Sequence, residues 1–243
     1  LNGRSDHTQK FKKINELAPM TLSNLHRTND IPTQIKNPDL VARRRKQIAD
    51  AAVKLFIVKG FEKTTTRQIA KASRLSIGSL YEYFATKEDV LYLVLDSIYI
   101  EIENAIRLAL SKSAGGEETL VELIRQYLMA CHRLSDYMLL LYQETHNLPK
   151  EWRNRVLKSD LNITQAFEKV IQGIFTREDY GNTSPAFIHL TAHNIVVFGH
   201  MWTFRRWALA REHSLEDFIQ YQTELILALI HQAESVSSRS PEK

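Results

Sequence analysis

Proline is so sparse in this chain that extended helices are nearly the only fold available to it. None occurs between Pro38 and Pro149, and the 243 residues contain only 6 Pro and 8 Gly. A sheet protein needs turn residues at short intervals, whereas long runs without them suit helices. The apolar spacing agrees. Ile48, Ala52, Leu55 and Phe56 fall at i, i+4, i+7 and i+8, predicting an amphipathic helix that starts near Leu40 and stops before Gly60. Thr86, with Asp89 three positions on, caps a long helix whose apolar stripe runs through Leu91, Leu95, Ile98, Ile102, Ile106 and Ala109. Residues 111–118, with Gly115-Gly116, break it. Five more helices are predicted over about 118–134, 136–146, 149–175, 185–211 and 215–235. The fourth is announced by Ser184-Pro185 and the fifth by the Ser214/Asp217 capping pair. The fold class is all-α, with about nine helices.

Composition narrows the class further. With 44% apolar and 25% charged residues the chain reads as an ordinary globular protein. No apolar run approaches a membrane span, and the polar N-terminus lacks the apolar stretch of a signal peptide. A single cysteine, Cys131, leaves no internal disulfide and no cysteine-rich zinc module, which fits a reducing cytoplasm; a buried thiol is expected there. The net charge of +4 is unevenly spread: residues 40–90 carry +6, residues 1–39 carry +2 and residues 91–243 carry −4. A basic segment joined to an acidic remainder suggests two domains, one of which meets a polyanion. The expected organisation is a flexible arm over 1–39 (rich in Asn, Thr and Pro, with a short helix around 10–17), a basic domain over 40–90, a helical domain over 91–236 and a disordered tail over 237–243.

Within the basic segment, a Thr65-x-x-Gln68 capping box opens a short helix to about Ala72. Ser73-Arg74-Leu75 forms a turn, and Ser76 caps a second short helix to about Phe84. Two short helices joined by a tight turn are what a helix-turn-helix requires. Ala70 is small enough for the helices to cross closely, and Ile69, Leu75 and Leu80 supply the apolar contacts.

The ordered set Gly60-Phe61, Thr65-Thr66-Arg67-Gln68-Ile69-Ala70, Leu75-Ser76-Ile77-Gly78-Ser79-Leu80-Tyr81-Glu82-Tyr83-Phe84 and Thr86-Lys87-Glu88-Asp89-Val90-Leu91 resembles the tetracycline-repressor (TetR) family of bacterial regulators. The resemblance covers residues 41–96; beyond them only helix number and length match. One departure is Arg74, where such proteins commonly carry glycine in a left-handed conformation. The resemblance implies an N-terminal three-helix DNA-binding domain and a C-terminal helical bundle for ligand binding and dimerisation. Thr65, Thr66 and Lys87 would meet phosphates near helix N-termini. Arg43, Arg44 and Arg45 would reach flanking phosphates or the minor groove. Arg67, Ser76, Ile77, Ser79 and Tyr81 would face base edges or a thymine methyl group, Gly78 would allow close approach, and Tyr83 would bond a phosphate. The implied partners are a near-palindromic double-stranded DNA operator, a second copy of the chain and a small, mostly apolar effector, with a lean to a fatty-acyl type; no membrane is involved. The implied location is cytoplasmic, nucleoid-associated when DNA-bound.

The candidate effector pocket comprises Met138, Tyr142, Phe167, His193, Phe198 and Trp202, each of which also suits a plain helical core. Trp207, Phe218, Tyr221, Leu225 and Leu229 are candidates for the dimer interface, because the last helix is apolar on more than one face. Arg205 and Arg206 suit either a ligand anion or ion pairs with acidic neighbours. His189, His193 and His200 share a helical face, but no third ligand of carboxylate or sulfur type is identifiable, so polar lining is expected and neither metal nor cofactor is assigned. An enzyme, such as a di-iron bundle, is the alternative, as is a protein-binding scaffold. Against the first, no E-x-x-H, P-loop, Rossmann glycine pattern or nucleophile elbow occurs; against the second stands the basic segment.

Overall fold

The computed structural model describes residues 31–33, 35–112, 115–177 and 183–237. The expected helix at 10–17, most of the expected arm and the tail beyond 237 lie outside them. Among the described residues the regular elements are helical: α1 (Pro38–Lys59), α2 (Thr66–Ala72), α3 (Ile77–Tyr81), α4 (Lys87–Ser111), α5 (Glu117–Arg133), α6 (Ser135–Glu144), a 3-10 turn (Thr145–Asn147), α7 (Lys150–Arg177), α8 (Pro185–Leu209) and α9 (Leu215–Ser237). No helix among them is long and apolar enough to cross a membrane. The chain divides into two compact units, residues 1–101 with 139–156, and 102–138 with 157–243. The division falls inside α4, α6 and α7 and not at the expected boundary between 90 and 91.

Local chemistry sets the helix ends. Asn37 Oδ1 accepts from Leu40 N at 3.1 Å, with Pro38 opening α1, so residues 37–39 are a cap and first turn and not part of an arm. Gly60, at φ 81°, closes the same helix. The Thr65/Gln68 capping box is reciprocal, and Ser76 Oγ accepts from Ser79 N at 3.0 Å. Asp89 Oδ2 accepts from Ala85 N and Thr86 N while Thr86 Oγ1 accepts from Asp89 N, so each end of this pair satisfies the other's orphan donors. Ser214 and Asp217 do the same for α9. Ser184 makes no side-chain cap bond; Pro185 alone marks the start of α8.

In the first unit, Ile48, Ala52 and Phe56 of α1 are buried together with Ile69, Ala70, Leu80 and Phe84. Each fully buried large side chain contributes about 1.5–3 kcal/mol. Every residue from 90 to 100 is buried, so this part of α4 is covered all round and not only along its stripe. Trp152, at the start of α7, stacks on Tyr92 with ring centroids 4.2 Å apart and donates from Nε1 to Asp89 Oδ1 at 3.1 Å. Glu144, ending α6, accepts from Phe61 N at 3.2 Å. In the second unit α5 packs against α8 and α9. Glycine at 199 permits the α5–α8 contact: a Cβ there would lie 2.7 Å from Cys131 Sγ and 2.8 Å from Tyr127 Cε1. Tyr127 seals the crossing by donating to Val196 O at 3.0 Å. Burial pushes the Cys131 thiol up to about 12, which makes it inert.

Candidate nucleic-acid interface

α2 and α3 are joined by a turn whose geometry the sequence anticipates. Arg74 adopts φ 57°, the left-handed conformation otherwise given to glycine. Gln47 of α1 fixes the turn by donating to Ser73 O at 2.6 Å, and Leu75 N closes it onto Ala70 O at 2.9 Å. These bonds, with Leu80 wholly buried beneath, leave one face of α3 outward. On it stand Ile77, 40% exposed, and Tyr81, 51% exposed, which is unusual for side chains this apolar. Ser76 and Gly78 are exposed beside them and Ser79 half-exposed. A Cβ on Gly78 would meet only Ser76 Oγ, at 3.8 Å, so no internal neighbour demands glycine there. Tyr81 Oη lies 3.4 Å from Thr66 Oγ1, joining α3 to the start of α2, where Thr65 and Arg67 are also exposed. The face therefore offers hydroxyls, a phenol, an aliphatic side chain and a guanidinium together.

The basic side chains part company. Arg43 is exposed, and Arg44, half-buried, donates to Gln47 Oε1 at 2.8 Å. Arg45 is a correction: it is 1% exposed, and its Nη2 donates to Ile31 O at 2.6 Å, to Tyr83 O at 3.2 Å and, more weakly, to Pro32 O at 3.5 Å. Burial pulls its pKa down, with the Asp89 charge opposing. It is a staple inside the domain. Ile31, 1% exposed, and Thr33, which donates to Glu82 O at 2.9 Å, belong to the same seam, so these residues of the expected arm are packed. Tyr83 is corrected likewise: it is 5% exposed, with its carbonyl bound to Arg45, and its ring is not offered to a phosphate. Lys87 is half-buried, donates to Phe61 O at 3.0 Å and lies 3.9 Å over the Phe61 ring, which leaves two of its N–H groups for an outside acceptor.

The six expected effector residues do not gather. Met138, Phe167 and Trp202 are buried core: Phe167 meets Tyr127 edge-on at 5.4 Å, and Trp202 Nε1 donates to His132 Nδ1 at 2.9 Å. Tyr142 is exposed and belongs to the first unit. His193 and Phe198 are half-buried, and a pocket of about 370 Å³ in the second unit is lined by none of the six. Among the interface candidates Trp207, Tyr221 and Leu225 are exposed and Leu229 half-exposed, whereas Phe218 turns inward onto Trp202 at 4.9 Å. Arg206 pairs with Asp136 at 3.3 Å, and Arg205 lies over the Trp207 ring. His189 Nδ1 lies 2.6 Å from Glu168 Oε1, while burial depresses His200, with Asp160 opposing. Among the described residues no three His, Cys, Asp or Glu side chains are placed to hold a metal. Sequence reasoning missed Glu144 and Trp152 as anchors of the first unit, since partners 83 and 63 residues away leave no local signal.

Comparison with known proteins agrees with this geometry. Residues 48–92 match the family model of bacterial regulatory proteins of the tetR family. The chain is 28% identical over 190 residues to the HTH-type transcriptional regulator HbdR of Aromatoleum sp. (strain CIB), covering 78% of this chain and 82% of that protein. It is 23% identical over 145 residues to IcaR of Staphylococcus aureus, a negative transcriptional regulator of a biofilm operon, covering 57% and 76%. In fold it resembles a bacterial regulatory protein of the tetR family from Rhodococcus RHA1, with a TM-score of 0.67 at 22% identity over 77% of this chain and 97% of that one. The matched segment runs from the core of α1 through the outward face of α3 into α4, so the similarity to bacterial regulatory proteins of the tetR family lies over the two short helices, their turn and the helices that brace them.

Proposed function

We propose that this protein is a ligand-responsive repressor that binds a near-palindromic operator as a homodimer and leaves it when a small effector binds. The observation that carries the DNA-reading role is the outward face of α3, where Ile77 and Tyr81 stand exposed among small polar residues on a firmly braced turn. In this reading Ile77, Gly78, Ser79 and Tyr81, with Ser76 and Arg67, meet base edges, while Thr65, Thr66, Arg43, Arg44 and Lys87 hold phosphates. Arg45 and Tyr83 act only by shaping the domain. Repression is favoured by the similarity to IcaR, a negative transcriptional regulator.

One such motif reads only a few base pairs, so a two-fold pair on a near-palindrome supplies the specificity. Leu190, Val197 and Phe204 recur every seven residues along α8, all exposed, and Trp207, Tyr221 and Leu225 add to the apolar surface. A stripe of this kind is the expected self-complementary interface. The test is a titration of the protein's own upstream DNA at several salt concentrations. Specific binding with a clear salt slope is expected, and alanine at Arg67 or Tyr81 should cost about 1–3 kcal/mol of discrimination. Binding without sequence preference and without a salt slope would overturn the reading.

A further inference from the structure

The turn between α2 and α3 carries a strained residue where glycine would be at ease. Arg74 holds φ 57°, which L side chains rarely adopt, and its N–H donates to Lys71 O at 3.2 Å. Strain of this kind points to a use for the side chain, since the backbone alone is better served by glycine. Arg74 and Lys71 are both exposed, and among the described residues no carboxylate pairs with either side chain. Asp50, which borders the same groove as Arg74 and Lys54, already pairs with Lys46 at 3.1 Å. The exposed neighbours Ala72, Ser76 and Gly78 are short, so none of them screens the two cations from an approaching polyanion.

In a helix-turn-helix the first helix crosses the phosphate backbone, while the first residues of the second meet base edges in a groove about 12 Å wide. The turn between them therefore lies at the strand that borders the groove. Arg74 precedes Ile77 by three residues, which sets a forked guanidinium beside that strand. α2 has seven residues and is about 10 Å long, so a phosphate met at this end is not one met by Thr65 or Thr66 at the other. We propose that Arg74, with Lys71 in the last turn of α2, is a second phosphate clamp that grips the DNA strand on which α2 lies. This rests on the DNA-reading role above and enlarges that contact beyond Thr65, Thr66, Arg43, Arg44 and Lys87. The clamp adds affinity and fixes register without discriminating between bases.

The test is the salt dependence of binding by the full chain to two duplexes of equal length, one its own upstream DNA and one of scrambled sequence. Arg74→Gln should lower the slope of log K against log salt by about 1.8 for a dimer, about 0.9 for each phosphate lost, and Arg74→Gln with Lys71→Gln by about 3.6. From about 50 to 200 mM salt the wild type should then lose about twelvefold more affinity than the single variant. The change should be the same on both duplexes, whereas Arg67→Ala should act on the upstream DNA alone. Arg74→Lys should keep the slope. Arg74→Gly should lose it in a head that glycine leaves unstrained, which separates the lost charge from misfolding. A wild-type slope in the double variant and in Arg74→Gly would overturn the clamp and leave the reading of α3 standing. A lowered urea midpoint in Arg74→Gln with an unchanged slope would also overturn it, assigning the charge to the C-terminal end of α2. A loss confined to the upstream DNA would overturn it by making Arg74 a base contact. Wild-type protein with neither sequence preference nor salt slope would overturn the clamp and the DNA-reading role together.

Discussion

Replacing Arg45 by methionine separates a DNA contact from a staple. Two strong bonds disappear, to Ile31 O at 2.6 Å and Tyr83 O at 3.2 Å; the third, at 3.5 Å, counts for little. Hydrogen bonds from a charged donor contribute about 1.5–3 kcal/mol each. Against that gross loss, methionine fills much of the space and removes the desolvation that depresses the guanidinium pKa. The net destabilisation expected is about 2–4 kcal/mol. With a urea m-value of about 2 kcal/mol/M, the unfolding midpoint of the first unit falls by about 1–2 M. The DNA assay reads the other role. Each phosphate contact adds about 0.9 to the slope of log K against log salt, so a dimer losing two would lose about 1.8. The staple predicts a lower midpoint and an unchanged slope at temperatures where the variant is folded. An unchanged midpoint with a slope reduced by nearly two would refute it and return Arg45 to the DNA. Arg43→Met should give the opposite pattern.

Three further perturbations bear on the second unit. Gly199→Ala places a methyl group 2.7 Å from Cys131 Sγ, and the strain should cost about 1–3 kcal/mol; an unchanged thermal melt would contradict the close crossing of α5 and α8. Burial and the Arg206 charge hold His132 below its ordinary pKa, and burial does so for His200. Protons therefore bind the unfolded form more readily. The stability these groups contribute is present above about pH 6.5 and is lost as the pH falls through their folded pKa values. Urea midpoints should drop between pH 7.5 and 5.5, less so in His132→Gln, which keeps an acceptor for Trp202 Nε1 but does not titrate; a rise on acidification would reverse the assignment. Finally, Trp207→Glu with Leu225→Glu should convert a dimer to a monomer in sedimentation and weaken operator binding at least tenfold, and an unchanged mass would place the self-association elsewhere.

The parts of this fold that local chemistry writes were readable from the sequence. The Thr65/Gln68 box, the Ser76 cap, the Thr86/Asp89 pair and the Ser214/Asp217 pair each lie within three residues of their partner, and each forms as expected. Arg74 in the left-handed conformation was expected from the resemblance alone, which places a glycine at that position, and its φ of 57° agrees. Asn37-Pro38 carried its own start signal, and the helix begins there and not at Leu40. Phe218 was misassigned because periodicity marks a residue as apolar without saying which of two apolar faces it joins; contact with Trp202, 16 positions earlier, decides that.

The three consecutive arginines show where such reading stops. Arg43, Arg44 and Arg45 have the same chemistry and lie about 100° apart around α1, so a helical wheel can say only that they point differently. Which one turns inward depends on carbonyls 14 residues before and 38 after, at Ile31 and Tyr83. A guanidinium tolerates that burial only where several acceptors converge, and the end of the N-terminal segment supplies one of them. Hence the same residue type serves both the surface offered to DNA and the frame that orients it. The frame should therefore respond to changes at Ile31, far from any groove: Ile31→Asp, which puts an unpaired charge into the seam, should unfold the head and abolish DNA binding at every salt concentration. Retained binding with a normal slope would mean that α3 is held in place by α1 and α4 alone.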